Sequence, residues 1–278
     1  MNASELYKSG RLMDAIAAQI EDVRSAPLDH GKRFFLFELL TFAGEIDRSR
    51  RQLEAISHND VQLAATHAAY TSVLEAEQSR RWLFDVLDPT VAEGLFAEDR
   101  VRPQFLIAPP FHIRLRMDAA INSLHSSPEQ TKELLAMADQ CTPAVSVRLN
   151  DKTYESLRDA DDLFGTVLEV LSQGNYYWVP LEQVETLAMS PPKYPRDLYW
   201  FPARLSLTKG PSGEVFLPAL YPSSHAHPDE LVRLGRKTEW RGEEGDPVFG
   251  AGLRLFAADE EAIPLVEFRE LQVISSSR

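Results

Sequence analysis

The sequence predicts an α+β fold, with helices in the first half of the chain and a mainly antiparallel sheet in the second. Residues 1–142 hold six of the 18 prolines and four of the 13 glycines, and residues 143–278 hold the others. Proline and glycine interrupt regular structure, so long helices fit the first half and short elements fit the second. Apolar residues recur at helical spacing in the first half and alternate with polar ones in the second. We therefore predict a helical, TPR-like region over 1–142 and a mixed α/β domain over 143–278.

The first helix carries Leu12, Ile16 and Ile20 on one stripe and ends at Pro27. Similar apolar stripes predict three more helices, over 34–42, 46–56 and 61–87.

A repeat of 34 residues relates the first two helical hairpins, because Gly10 and Gly44 are separated by that distance. This is the period of tetratricopeptide hairpins. A small residue, Ala15 or Ser49, stands five places after each glycine, where it lets two helices approach closely. Gln78, not a glycine, stands 34 residues after Gly44, so a third regular unit is not predicted. The alternative is two unrelated hairpins with a coincidental spacing.

Two further helices are predicted before the strands begin. One carries a stripe from Pro110 to Leu124, and the other begins at a Ser126-Ser127-Pro128 cap and continues to Ala138.

The second half reads mostly as strands. Val145, Val147 and Leu149 alternate with polar residues, which is typical of a half-buried strand. One helix is predicted over 161–173, because acidic residues stand at the start of this segment and Gly174 follows its end. A second, short helix is expected to open at Pro180. The remaining predicted strands cover 176–179, 203–208, 214–217, 253–256, 265–268 and 271–274.

Charge and composition argue against several classes of protein. The net charge of −13 disfavours binding to nucleic acid and to anionic membrane surfaces. The sequence has neither the apolar core of a signal peptide near its start nor an apolar run of membrane-spanning length. Cys141 is the only cysteine, which rules out an intramolecular disulfide and suits a reducing compartment. We expect a cytoplasmic protein.

Two groups of side chains have the ligand types of a metal site. Asp159, Asp161 and Asp162 could bind a hard cation, but carboxylates before a helix are more often caps. His225 and His227 could bind zinc, but no third ligand follows at a recognisable spacing and a loop is favoured. Together these residues define the alternative function, a metal-assisted hydrolase.

The sequence contains no Gly-x-Ser-x-Gly elbow, no P-loop and no G-x-G-x-x-G fingerprint. We therefore assign no catalytic, cofactor-binding or metal-binding residue, and no cofactor. Arg236 is expected to pair with an internal carboxylate such as Asp159 or Asp162, and Trp240 to lie in the core, rather than to contact a partner.

Several runs of the second half form a specific combination. They are LRDADD (157–162), VLEVL (167–171) with Gly174, YYWVP (176–180), RDLYW (196–200) with PARL (202–205), VFLPALYP (215–222), and LGR (234–236) with Thr238 and Trp240. In order and spacing these runs resemble the ImpE/TagJ family of type VI secretion accessory proteins over roughly residues 150–270, and the helical half resembles that family more loosely.

This resemblance implies a non-enzymatic protein that associates with the contractile sheath of the secretion system. It implies binding to a helix of the small sheath subunit and an influence on sheath disassembly by the ClpV ATPase. Paired helices fit this role, because they expose grooves that can take an amphipathic helix. On this hypothesis the helical half binds the helix, and the α+β half supports it or mediates dimerisation. The segment 191–195 departs from the family pattern and is expected at the surface.

Overall fold

The computed structural model describes residues 1–56, 61–85, 102–124 and 128–277. Leu87, Ser126 and Ser127, which figure in two predicted helices, lie outside these ranges. The α-helices of the described residues are α1 (Ala3–Lys8), α2 (Leu12–Ser25), α3 (His30–Phe42), α4 (Ile46–Glu54), α5 (Val61–Asp85), α6 (Phe111–Leu124), α7 (Pro128–Cys141) and α8 (Glu230–Arg233).

The strands follow the helices, as predicted. Eight of them form one sheet in the order β2-β1-β13-β6-β7-β8-β4-β5, with antiparallel neighbours throughout. Strands β3, β11 and β12 form a second sheet, and β9 and β10 form a hairpin. The strands are β1 (Ala144–Leu149), β2 (Lys152–Tyr154), β3 (Leu157–Asp159), β4 (Val167–Ser172), β5 (Asn175–Pro180), β6 (Val184–Met189), β7 (Trp200–Leu207), β8 (Ser212–Pro218), β9 (Thr238–Arg241), β10 (Phe249–Gly252), β11 (Leu255–Ala258), β12 (Glu261–Pro264) and β13 (Glu270–Ser277).

Both predicted helical hairpins are present. Gly10 lies between α1 and α2 with φ +85°, and Gly44 lies between α3 and α4 with φ +80°. Glycine adopts this left-handed conformation without the penalty that a Cβ carries. Ala15 and Ser49 are fully buried, as their spacing from the two glycines predicts.

One hydrophobic core joins the helices to the strands. The ring of Phe37 in α3 lies 5.7 Å from that of Tyr70 in α5 and 6.3 Å from that of Trp200 in β7. A second core lies between the two sheets, where the rings of Phe256 and Phe268 are 5.0 Å apart. The helical and strand-rich halves therefore pack against each other through a shared apolar layer.

The prediction of a helix over 161–173 is wrong. Residues 162–166 form turns, and Val167–Ser172 is strand β4 in the interior of the main sheet. Five of its six residues are buried, because the strand is covered on both faces. A strand buried on both faces reads as a continuous apolar run, which local spacing does not separate from a buried helix.

Two smaller predictions also differ from the structure. Pro180 precedes only a short 3-10 turn, Leu181–Gln183, after which the chain enters strand β6. The strand predicted over 265–268 is a second 3-10 turn, Leu265–Glu267, that leads into β13. The first turn joins two strands of the main sheet, β5 and β6, and the second leads from β12 of the three-stranded sheet into β13 of the main sheet.

Candidate functional site

A buried cluster of charged side chains joins α5 to the sheets. The Glu169 carboxylate, in β4, accepts hydrogen bonds from Arg80 Nε at 2.8 Å and Arg80 Nη2 at 3.0 Å. Arg254 contacts the same carboxylate, and its Nη1 lies 2.5 Å from Asp159 Oδ2. All four side chains are at least 96% buried. We call this set, Arg80, Asp159, Glu169 and Arg254, the ion cluster.

Hydrogen bonds from tyrosines complete the ion cluster. The Tyr176 hydroxyl donates to Glu169 Oε1 at 2.5 Å, and the Tyr221 hydroxyl donates to Asp159 Oδ1 at 2.8 Å. Burial acts to raise the pKa of Glu169, but Arg80 and Arg254 outweigh it and hold that pKa below its usual value. Glu169 therefore stays ionised, and its oxygens are occupied by protein donors. This arrangement fastens the helical half to the strand-rich half.

Asp161 and Asp162 hold the β9–β10 hairpin in place. Asp161 Oδ2 accepts a hydrogen bond from the Gly250 amide at 2.7 Å, and Asp162 Oδ2 accepts one from the Val248 amide at 2.7 Å. Asp161 Oδ1 also accepts from the Leu163 amide at 2.8 Å, so it caps a turn rather than the predicted helix. Burial and the neighbouring Asp159 raise the pKa of Asp161 to about 7.

The structure does not gather the predicted metal ligands into one site. His225 lies in the 3-10 turn Ser224–Ala226, whereas His227 Nε2 lies 3.2 Å from Glu239 Oε2. Asp159 is paired with Arg254 instead. Within the described ranges, no three His, Cys, Asp or Glu side chains are placed to hold a metal ion.

The pairing expected for Arg236 is wrong. Its guanidinium donates to the carbonyl oxygens of Tyr7 at 2.7 Å and Lys8 at 2.8 Å, so it fastens α1. Arg254 occupies the position beside Asp159 instead. Sequence reasoning missed Arg254 and the role of Glu169. The one available signal for Glu169 was a single charge inside the apolar run 167–171.

The core position expected for Trp240 is also wrong. This residue is 40% exposed on β9, with its ring 5.7 Å from that of Tyr221. It sits next to Arg241, which lines a groove described below.

A groove lies where the helical half meets the β9–β10 hairpin, and we call it the junction groove. Its volume is about 930 Å³. The start of α7 forms one wall, and the hairpin with its loop over 242–248 forms the other. Its apolar floor is lined by Phe84, Leu163, Phe164 and Phe249. A floor of this kind can bury the apolar face of another polypeptide.

Charged side chains surround the apolar floor of the junction groove. Glu129 and Lys132 stand on α7, and Glu243 and Asp246 stand on the hairpin loop. Lys132 Nζ lies 2.8 Å from Asp246 Oδ1, so this ion pair connects the two walls. Both of its side chains are about half exposed, and such pairs contribute little to stability. A ligand can therefore displace the ion pair between Lys132 and Asp246 at little cost in stability.

A smaller groove of about 530 Å³ lies between α4 and α5. Ile46 and Trp82 contribute its apolar surface, and Arg48, Arg51 and Arg81 line it with charge. Arg81 is already engaged, since its Nη1 donates to the Gly44 carbonyl at 2.8 Å and its Nη2 donates to the Tyr199 hydroxyl at 2.9 Å. The junction groove is thus the larger and more apolar of the two.

Three comparisons relate this chain to known proteins. The ImpE protein family model matches residues 151–272. A Pseudomonas aeruginosa protein described as type VI secretion system accessory component TagJ is 35% identical over 271 residues, which is 98% of this chain and 90% of that protein. The crystal structure of protein VPA1032 from Vibrio parahaemolyticus superposes with a TM-score of 0.82 at 21% identity. That comparison covers 98% of this chain and 97% of the Vibrio chain, and at this identity it establishes the fold.

None of the helices in the described part of the chain has the length and apolar character needed to cross a bilayer. The TagJ relative matches the whole length of the chain, beyond the segment 151–272 that the family model recognises. The resemblance expected from the sequence is confirmed, and the chain belongs to the ImpE/TagJ family.

Proposed function

We propose that this protein is a cytoplasmic, non-enzymatic accessory protein of a bacterial type VI secretion system. Family membership supports the secretion system, because the matching Pseudomonas protein is described as one of its accessory components. The ion cluster supports a binding role, since its two carboxylates pair with its own arginines. The protein acts by holding another polypeptide.

The ligand in this proposal is a helix of the small sheath subunit, and the junction groove is its binding site. The observation that carries this assignment is the apolar floor enclosed by charged walls. An amphipathic helix lays its apolar face into such a groove and leaves its polar face in water. The groove involves α5, α6 and α7 as well as the β9–β10 hairpin, so both halves of the chain contribute to binding.

The same binding would connect the protein to sheath turnover. A protein bound to a sheath subunit stands beside the substrate of the ClpV ATPase, and we include an influence on ClpV-driven disassembly in the proposal. An assay of sheath disassembly by ClpV, with and without this protein, measures that influence. Equal rates over a saturating range of protein concentration would remove this part of the proposal.

Binding is tested directly with a labelled peptide that spans the N-terminal helix of the small sheath subunit. Phe249, half-buried at the groove floor, is changed to Ala, and affinity is measured by fluorescence anisotropy. We expect Phe249→Ala to weaken binding by at least about tenfold, because a buried aromatic side chain contributes a few kcal/mol.

Phe111→Ala is the matched control, since Phe111 is 59% exposed and does not line the groove. It removes the same side chain and should leave the affinity unchanged. If the wild-type protein binds neither the intact sheath subunit nor its peptide, the proposal is contradicted. Equal losses in the two variants contradict the choice of groove.

A further inference from the structure

The charges around the junction groove indicate the kind of helix that it accepts. The residues that line it include four acidic and two basic side chains, so the groove is acidic in a chain whose net charge is also negative, at −13. Two of the acidic groups, Glu129 and Glu243, are exposed and stand on opposite walls. Neither has an ion-pair partner among the residues that the structure describes.

The two basic groups do not cancel this acidity. Lys132 already neutralises Asp246 across the groove at 2.8 Å, which leaves Arg241 as the one basic side chain of the lining against three acidic ones. Asp161 adds a carboxyl group at the floor, where its oxygens accept hydrogen bonds from two backbone amides. A basic residue of a ligand can pair with Glu129 or Glu243, or displace Lys132 from Asp246.

We propose that the junction groove selects an amphipathic helix whose apolar face is flanked by lysine or arginine. The apolar face rests on Phe84 and Phe249, which are half-buried, and the basic flanks face Glu129 on one wall and Glu243 on the other. This inference rests on the proposed function for the identity of the partner. The preference for a helix with basic flanks, which we call the charge rule, concerns the groove itself. Complementary charge raises the association rate and excludes helices of the wrong sign.

Three synthetic helical peptides test the charge rule. They share one leucine-rich face and carry Lys, Gln or Glu at the positions that flank it. We expect the Lys peptide to bind at least tenfold more tightly than the Glu peptide at low salt. The difference should shrink at 0.5 M salt, because ions screen exposed charges.

Variants of the two walls locate the effect. Glu129→Lys with Glu243→Lys should remove or invert the preference for the Lys peptide. Glu185→Lys with Glu260→Lys is the matched control, because both glutamates are exposed, lie outside the groove, and give the same change in net charge. The single variant Glu243→Lys, in the hairpin loop, serves if the double variant does not fold.

Equal affinities for the Lys and Glu peptides overturn the inference, and so does the same loss in the wall and control variants. The outcome is separate from that of the sheath proposal. If the protein binds the Lys peptide selectively but does not bind the sheath subunit, the proposed sheath partner is contradicted and the charge rule is supported. Binding of the sheath subunit that responds neither to salt nor to the wall variants removes the charge rule alone.

Discussion

At the residue scale, buried charges are held by partners from distant parts of the sequence. Glu38 in α3 is 4% exposed, and its Oε1 lies 2.5 Å from Nη1 of Arg196. The Arg196 guanidinium also stacks over the ring of Tyr194 at 4.0 Å and that of Tyr70 at 5.1 Å. This contact fixes the surface segment over 191–195 against the helical half.

Glu38 predicts a specific dependence of stability on pH. Burial raises its pKa to about 7 from 4.5, against the opposing effect of Arg196. Because the folded-state pKa is the higher one, its contribution to stability is complete below about pH 4.5 and is lost as the pH rises through 7. Glu38→Gln abolishes this titration. We expect the free energy of unfolding of the wild type to fall relative to the variant by roughly 2–3 kcal/mol between about pH 5 and 8.

Urea unfolding at several pH values measures this difference. Glu185→Gln, at an exposed position, is the control and should follow the wild type. Parallel stability curves for the wild type and Glu38→Gln would contradict the assigned role of Glu38.

At the element scale, the helical hairpins depend on the glycines at their turns. A Cβ at Gly44 would overlap the ring of His225, in addition to requiring an unfavourable φ of +80°. Gly245 has a similar φ, +86°, with open space around it. The two positions therefore separate the cost of backbone strain from the cost of a steric clash.

We expect Gly245→Ala to destabilise the protein by about 1 kcal/mol, which is the cost of the left-handed backbone alone. Gly44→Ala should cost at least about 2 kcal/mol more, since the packing of the α3–α4 turn on Ser224–Ala226 must change as well. Thermal or urea unfolding of the two variants measures both values. Equal losses would show that the turn adapts without cost.

These elements also show what the sequence could predict. Turn glycines and helical stripes act over a few residues, so Gly10, Gly44 and the helices around them were predicted correctly. Strand β4 was not, because Glu169 looks like the polar position of a helix until its partner Arg80, 89 residues away, is known. Arg254 was missed for the same reason, since its two carboxylate partners are 85 and 95 residues distant. Local patterns do not encode such pairings.

At the scale of the whole molecule, the ion cluster and the shared core connect the two halves. The cluster takes Arg80 from α5, Glu169 from the main sheet and Asp159 from the three-stranded sheet. The predicted boundary between residues 142 and 143 stays a prediction, because a change in composition does not show that either part folds alone.

Arg254→Met tests whether the halves unfold together. It leaves Asp159 and Glu169 with fewer partners in a buried site, and breaking such pairs typically costs about 3–5 kcal/mol. We expect a loss of this size, with coincident transitions by far-UV circular dichroism, which reports mainly on the helices, and by tryptophan fluorescence, which includes Trp178 and Trp200 in the strands. Two separate transitions in the wild-type protein, where the ion cluster is intact, would show that the cluster does not couple the halves.

The span of the ion cluster also affects how a cell must make this protein. Translation delivers Arg80 long before Glu169, and Glu169 long before Arg254. A nascent chain that has already formed α5 therefore carries the Arg80 guanidinium, with Glu77 of the same helix beside it, before its partner in the main sheet exists. The ion cluster is complete only after Arg254 has been made, so we expect partly made chains, which lack this connection between the halves, to be prone to misfolding.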